Sequence, residues 1–355
     1  MFAADYAQCS VLCHQVLSHN REEFAAHELL IQSLLAQNRD DEALTAAHDW
    51  FNFQPRTVGR QAAWIMARPR QWRLLAHAAY RRGAEETLSE VLDQQLVLLQ
   101  TLTAEEVHDN RVEHVMDSEH LLGSDGNTTL PDTDEHDIAA QSRDVQWQGT
   151  TAVLDAITTA ALWFDLQASR ARDEQTRNDD GELCTTIQSL IDEWCARRGN
   201  LSTADAALVE LLLAWCHVRA SHTHINHTPF TELMGRNVPN EIKIYALVLS
   251  FVLEFDVHRP HLTSDPFAIH QKVAQHFQKL TQVLRNNNDP KMQNDVDTSL
   301  LYRTTSLLIK LLDPNNKERD QVKNDLAYTI RRPGLSLILL RRVLSALNDF
   351  ALKDK

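Results

Sequence analysis

Two segments near the start of the chain share one layout, and this layout is the strongest constraint on the fold. In the first segment, Leu30 is followed by a turn residue, Asn38. In the second, Leu75 is followed at the same interval by Gly83. Asn and Gly both accept the left-handed backbone that ends a helix. Ala43 and Leu88, a small and an apolar residue, also follow the two turn residues at equal intervals. The spacing therefore predicts two helix-turn-helix hairpins.

The two segments resemble the tetratricopeptide repeat, whose pattern sets Trp before Leu, then small residues and Tyr, an Ala in the second helix and a closing Pro. The matching residues are Trp72, Leu75, Ala76, Tyr80 and Gly83 in the second copy and Ala43, Ala47 and Pro55 in the first. The copies lie farther apart than the usual period of about 34 residues, and no third copy follows. The resemblance implies stacked antiparallel hairpins, an α-solenoid, with a groove for a partner protein.

Glycine is scarce, with nine among 355 residues, and no two glycines form a G-x-G pair. The sequence therefore lacks the Gly-rich turns of dinucleotide-binding folds, phosphate loops and kinases, and it has no G-x-S-x-G nucleophile elbow. Abundant Leu, Ala, Glu, Gln and Arg with scattered β-branched residues favour helix. We expect an all-α protein without a cofactor, in which tetratricopeptide-like hairpins precede a C-terminal helical domain.

The charge and the cysteines indicate where such a chain works. A formal net charge of −14 disfavours binding of nucleic acid, because proteins bind its phosphates through Lys and Arg. Five cysteines without C-x-x-C spacing suit a reducing compartment and act as small buried hydrophobes. The N-terminus lacks a signal peptide's basic flank, and the most apolar stretch, 242–255, is too short to cross a bilayer. We expect a cytoplasmic protein without membrane insertion.

The chain divides into a hairpin module at 1–103, an acidic and partly disordered linker at 104–148, and a helical domain at 149–355. Helical periodicity resumes at about Gln148, and a polar break follows at 170–181. Within the module, helix breaks are predicted at Asn20, Asn38, Pro55, Pro69 and Gly83. Beyond it, capping residues predict helix starts at Ser202, Asn240, Asp265-Pro266 and Asp313-Pro314.

The last twenty or so residues predict an amphipathic closing helix. Its apolar side would pack onto the domain through Leu335, Ile338, Leu339, Val343, Leu347 and Phe350. Its polar side would face water through Arg341, Arg342 and Asp349.

Seven arginines and no acid lie between Arg56 and Ala84, which is unusual in so acidic a chain. Guanidinium forks bind carboxylates and tryptophan offers a stacking face, so this arginine-rich stretch predicts a site for an acidic peptide or helix. The candidate partner-binding residues are Arg60, Arg68, Arg70, Trp72, Arg73 and Arg81. Two other interpretations are a solvated helix face that balances nearby acids, and a patch covered by the acidic run 105–137.

A histidine-rich segment and pairs of acids are the possible metal-binding sites in the sequence. His222, His224 and His227 are the candidate ligands, yet the segment is turn-like and lacks a spacing such as H-E-x-x-H. A polar loop is the favoured interpretation, and no metal site is predicted. The acid pairs include Asp40 with Asp41 and Asp179 with Asp180. Asp40 with Asp41 has a simpler role at the start of the second helix of its hairpin.

The sequence as a whole predicts a non-catalytic scaffold or adaptor that binds a partner peptide or helix in a groove of stacked hairpins. Two alternatives stay open. One is a structural subunit of a larger multiprotein assembly, with its main interface in the C-terminal domain. The other is a metal-dependent all-α enzyme that uses the histidine-rich segment or the acid pairs.

Overall fold

The computed structural model describes residues 5–53, 58–101, 135–168, 174–221, 226–262, 264–285 and 290–329, and within the tail 339, 340, 342–344, 346 and 347. The helices are α1 (Tyr6–His19), α2 (Phe24–Ala36), α3 (Asp40–Asn52), α4 (Val58–Arg82), α5 (85–101), α6 (Glu135–Ala168), α7 (Glu174–Arg198), α8 (Thr203–Ser221), α9 (Thr228–Gly235), α10 (Asn240–His258), α11 (Pro266–Arg285), α12 (Pro290–Thr298), α13 (Leu300–Leu312) and α14 (Arg319–Thr329). No strand occurs among these residues, which confirms the all-α class.

Both predicted hairpin turns are present, and they have the same backbone structure. Asn38 and Gly83 have positive φ angles of 64° and 73°. After Asn38, the amide of Arg39 donates to the Leu34 carbonyl at 3.0 Å. After Gly83, the amide of Ala84 donates to the Ala79 carbonyl at 2.8 Å. These bonds form a Schellman motif at each turn. After the first turn, α3 packs against α2.

The two hairpins are stacked, because α2 and α3 both pack against α4. The residues at the repeated positions fill the interface and are almost fully buried: Leu30, Ala43, Leu75 and Leu88. Helix α6 packs against α4, and α6 also contacts α7 and α8. The buried apolar residues form one continuous core that runs from Cys13 to Leu347.

The predicted break at Pro69 is wrong, since α4 is one helix from Val58 to Arg82. Proline within a helix loses one backbone hydrogen bond and costs about 3 kcal/mol. The residues that follow, Trp72, Leu74 and Leu75, are buried in the core. Their burial favours the continuous helix and outweighs the local cost of the proline.

Two further helix boundaries differ from the predicted ones. Helix α6 begins at Glu135, inside the segment that the sequence assigns to the acidic linker. Helix α7 begins at Glu174, so much of the predicted polar break at 170–181 is helical. Buried residues farther along each helix, such as Val153 in α6 and Cys184 in α7, anchor it in the core. Polar residues with good helix propensity then extend the helix, so composition alone is a weak guide to where a helix begins.

The capping residues located most of the later helix starts. Ser202 and Asp205 cap α8: the Ser202 hydroxyl donates to the Asp205 carboxylate at 2.6 Å and accepts the Asp205 amide at 3.1 Å. Asp265 caps α11 by accepting the Ala268 amide at 2.9 Å. The start predicted at Asp313-Pro314 is wrong: Asp313 instead accepts the Asn315 amide at 2.9 Å, in a turn that delays α14 until Arg319.

Helix α10 forms the centre of the C-terminal half, where it packs against α8, α9, α11, α12 and α13. The predicted buried helix at 242–255 is confirmed, since most of its residues from Ile244 to Phe255 are buried. In the tail, Leu339, Val343 and Leu347 are buried as expected. Leu335, Ile338 and Phe350 lie outside the described residues. Among the described helices, none has the length and apolar character needed to span a bilayer.

Candidate functional sites

The arginine-rich stretch makes its contacts within the protein. Arg68 donates from Nη1 to the Phe51 carbonyl at 2.7 Å, and its guanidinium lies 4.0 Å from the centre of the Phe51 ring. Burial lowers the pKa of Arg68. Arg81 donates to the Leu35 carbonyl at 2.6 Å and forms an ion pair with Asp40. Because Leu35 and Asp40 flank the turn at Asn38, Arg81 of the second hairpin fastens the turn of the first.

The other described arginines of this stretch also face acids. Arg73 lies 2.8 Å from Asp155 of α6, whose side chain is almost fully buried. Burial raises the pKa of Asp155 to about 6, although Arg73 opposes that shift. The exposed Arg70 lies 3.5 Å from Glu28. Arg82 forms an exposed ion pair with Asp41.

These contacts match the interpretation in which the arginines balance nearby acids. Arg68 and Arg81 are directed toward the first hairpin, Arg73 is directed toward α6, and Trp72 is buried. The described members of the set therefore do not line one groove. The Arg60 side chain, like the acidic run 105–134, lies outside the described residues. The partner-binding role of the arginine-rich stretch, and its covering by the acidic run, stay predictions.

A cleft of about 650 Å³ lies beside the first hairpin and is lined by residues of α1, α2 and α3. We call it the N-terminal cleft. Its floor is apolar and is formed by Leu17, Leu30, Leu34 and Phe53. Its charged lining residues are Asp41, Glu42 and Asp49 of α3, together with Arg21. Sequence reasoning missed this cleft, because α1 contains no part of the repeat pattern.

A buried ionic network joins the two halves of the molecule. Asp165 of α6 is fully buried and lies 2.7 Å from Arg219 of α8 and 3.0 Å from Arg342 of the tail. The Tyr80 hydroxyl of α4 donates to the same carboxylate at 2.5 Å. Arg342 also donates to both carboxylate oxygens of Asp256 in α10, at 3.0 and 2.8 Å. The prediction that Arg342 faces water is therefore wrong.

The network is balanced in charge, with two carboxylates and two guanidinium groups. Burial alone would raise the pKa of Asp256, but Arg342 and Arg219 outweigh it and lower that pKa to about 2. Asp165 and Asp256 raise the pKa of Arg342 although burial opposes them. This arrangement holds α4, α6, α8, α10 and the tail together, which is a structural role.

Polar side chains also meet where α9, α10 and α11 join. His227, at the start of α9, places Nε2 3.1 Å from Glu254 Oε2 and Nδ1 2.8 Å from Ser250 Oγ. His276 of α11 places Nε2 3.0 Å from the same Ser250 hydroxyl. The two imidazole rings are 4.5 Å apart between centroids. We call His227, Glu254 and His276 the His-Glu-His cluster.

The histidine-rich segment thus contributes one of its three candidates, His227, while His222 and His224 lie outside the described residues. Sequence reasoning missed Glu254 and His276. Glu254 and His258 are four residues apart on α10, and His258 Nε2 lies 3.2 Å from Glu254 Oε1. That helical spacing was a signal for Glu254, whereas nothing in the sequence pairs His276 with His227.

The acid pair at Asp40 and Asp41 and the buried cysteines do not form a reactive site among the described residues. Asp40 and Asp41 pair with Arg81 and Arg82, as expected for acids with a local structural role. Buried thiols are poor nucleophiles, since burial raises the pKa of Cys13 to about 11 and that of Cys184 to about 12. In the described part of the chain, the His-Glu-His cluster is the one group of three or more His, Cys, Asp or Glu side chains that lie close enough to hold a metal ion.

Comparison with protein-family models, with characterised proteins and with solved structures gives no match for this chain. The tetratricopeptide resemblance of the hairpins therefore stays a prediction.

Proposed function

We propose that this chain is a non-catalytic protein-interaction scaffold whose N-terminal cleft binds a segment of another protein. The observation that supports this proposal is the cleft of about 650 Å³, whose apolar lining includes the half-buried side chains of Leu17 and Phe53. Recognition by a groove between helices typically uses an apolar floor that receives the side chains of a partner helix or extended peptide. In the cleft, Leu17 and Phe53 are half-buried and can contact a partner. Leu30 and Leu34 are almost fully buried and belong to the core.

The charges at the cleft define the kind of partner. Three acids line it, against one arginine. Two of the acids already pair with arginines, Asp41 with Arg82 and Glu42 with Arg39, and Asp49 is exposed nearby. A partner that presents apolar anchors together with Lys or Arg side chains complements this surface. The proposed partner is therefore basic, in contrast to the acidic peptide predicted from the arginine-rich stretch.

The test uses the full chain as bait for a displayed library of short peptides, followed by affinity measurements on the selected sequences. Thr45→Lys with Asp49→Lys adds positive charge at the cleft, and both side chains are exposed on α3. We expect this variant to lose at least about tenfold in affinity for the selected peptides. Asp93→Lys with Thr101→Lys, at exposed positions on α5, adds the same charge as a matched control and should retain wild-type affinity.

The same measurement separates the two surfaces. Arg70→Glu alters the arginine-rich stretch at a side chain that is 68% exposed, so it leaves the interior intact. Loss of affinity in Arg70→Glu alone, with acidic peptides selected, would move the binding site away from the cleft. A chain that selects no peptide would contradict the scaffold proposal itself.

A further inference from the structure

Three different elements bring the members of the His-Glu-His cluster together. His227 precedes α9, Glu254 lies in the last turns of α10, and His276 lies in the middle of α11. All three helices pack against one another. The cluster is therefore held by the fold and is independent of the N-terminal cleft.

The spacing of the cluster suits a small cation. One ligand atom from each of the three side chains lies within 4.8 Å of the other two. In a tetrahedral site with bonds of about 2.1 Å, ligand atoms are about 3.4 Å apart. Movement of the side chains by about 1 Å would bring all three ligand atoms to bonding distance of one ion. His227 Nε2 and Glu254 Oε2 are already 3.1 Å apart.

Two further side chains orient these three. Ser250 is fully buried one turn before Glu254, and its hydroxyl contacts a ring nitrogen of each histidine. His258 contacts the Glu254 oxygen that faces away from His227. Outer contacts of this kind fix the ring orientation and the tautomer of metal-binding histidines.

The protonation states of the cluster also suit a ligand set. The hydrogen bond from His227 lowers the pKa of Glu254 to about 2, although burial opposes it. Burial, and then His227, lowers the pKa of His276. Both shifts are toward the forms that bind a metal ion, since a carboxylate and an uncharged imidazole each have a lone pair to share.

We propose that His227, Glu254 and His276 form a binding site for one divalent transition-metal ion of the zinc class. Two imidazoles and a carboxylate are a ligand set that Zn²⁺ accepts, and three protein ligands leave a coordination position for water. The side chains of His227 and Glu254 are 22% and 18% exposed, so water and ions reach them. This inference goes beyond the scaffold proposal and does not rest on it.

The experiment uses the full chain after treatment with a chelator. Co²⁺ is added as a spectroscopic probe, its visible absorption reports the coordination geometry, and Zn²⁺ is then added in competition. Wild-type protein should bind one equivalent of Co²⁺ and release it to Zn²⁺. His276→Gln and Glu254→Gln should each weaken binding by about 100-fold, and Ser250→Ala by about tenfold, as expected for an outer contact.

His261→Gln changes an exposed histidine outside the cluster and should bind as the wild type does. Circular dichroism establishes that each variant is folded, and Zn²⁺ should raise the melting temperature of the wild type but not of His276→Gln. Wild-type protein that binds no Co²⁺, or His276→Gln that binds it with wild-type affinity, would overturn the proposal.

Discussion

The N-terminal hairpins and the α9 to α11 junction both bury polar side chains, but they use different chemistry. In the hairpins, Arg68 and Arg81 reach backbone carbonyl groups at 2.7 and 2.6 Å, and Arg81 also pairs with Asp40. At the junction, His227, Glu254 and His276 meet one another and Ser250.

The difference shows which polar groups retain binding capacity after folding. A guanidinium group has donors only and stays charged, so it offers no lone pair to a metal ion. An imidazole nitrogen and a carboxylate oxygen can exchange a shared proton for a metal ion. Interior arginines therefore stabilise the hairpins, whereas the histidines form a candidate site. The following predictions test this contrast, beginning with the ionic network that joins the two regions.

Asp165→Ala should have the largest effect. It leaves Arg219 and Arg342 with one carboxylate between them and removes the acceptor of the Tyr80 hydroxyl. Loss of one member of a buried ion pair costs about 3 to 5 kcal/mol. Urea unfolding of the full chain measures this loss.

A double variant tests the charge balance behind that expectation. Asp165→Leu with Arg342→Met removes one charge of each sign and keeps the pair between Arg219 and Asp256, which is 2.6 Å long. It should be less destabilising than Asp165→Ala. An equal or larger loss of stability would show that packing, rather than charge, determines the effect.

Arg81→Met and Arg82→Met form a matched pair at neighbouring positions. The Arg81 side chain is 8% exposed and holds the turn at Asn38, so we expect its substitution to lower the free energy of unfolding by about 3 kcal/mol. The Arg82 side chain is 56% exposed, and its pair with Asp41 should contribute less than about 0.5 kcal/mol. Equal effects in urea unfolding would contradict the assigned role of Arg81.

His77 should make the stability of the hairpins depend on pH. Burial, and then Arg73 and Arg81, lowers the pKa of His77 to about 4. Between pH 6.5 and 4 the unfolded chain therefore binds a proton that the folded chain does not. This contribution to stability is complete above pH 6.5 and is lost as the pH falls toward 4, by about 2 kcal/mol at pH 5.

The measurement compares the free energy of unfolding of wild type and His77→Gln at several pH values. Asp155 has the opposite effect, because its raised pKa of about 6 favours the folded state at lower pH. Only the difference between the two proteins isolates His77. A difference that does not vary between pH 7 and 5 would mean that folding does not lower the pKa of His77.

Substitutions of two glycines should have small effects of opposite sign. Gly83→Ala places a side chain at φ +73° in the hairpin turn and should destabilise the protein by about 1 kcal/mol, although nothing lies within 4 Å of the new Cβ. Gly181→Ala lies within α7, also in open space, and should stabilise it by about 0.5 to 1 kcal/mol. Thermal unfolding of both variants checks the signs.

Local signals determined much of the fold. The turns at Asn38 and Gly83, the capping residues Ser202 and Asp265, and the buried helix at 242–255 were all evident in the sequence. Each depends on backbone preferences or on periodicity within a few neighbouring residues. Pro69 was misleading because core packing outweighs its local preference.

Only the tertiary structure decided which polar groups meet. Arg342 and Asp165 are 177 residues apart in the sequence, and Ser250 and His276 are 26 apart, yet both pairs are in hydrogen-bond contact. The pattern of one helix indicates which of its faces is buried, but it does not say which helix covers that face. The sequence by itself therefore determined the helices and their turns, while helix packing determined the partners of the arginines and the composition of the His-Glu-His cluster.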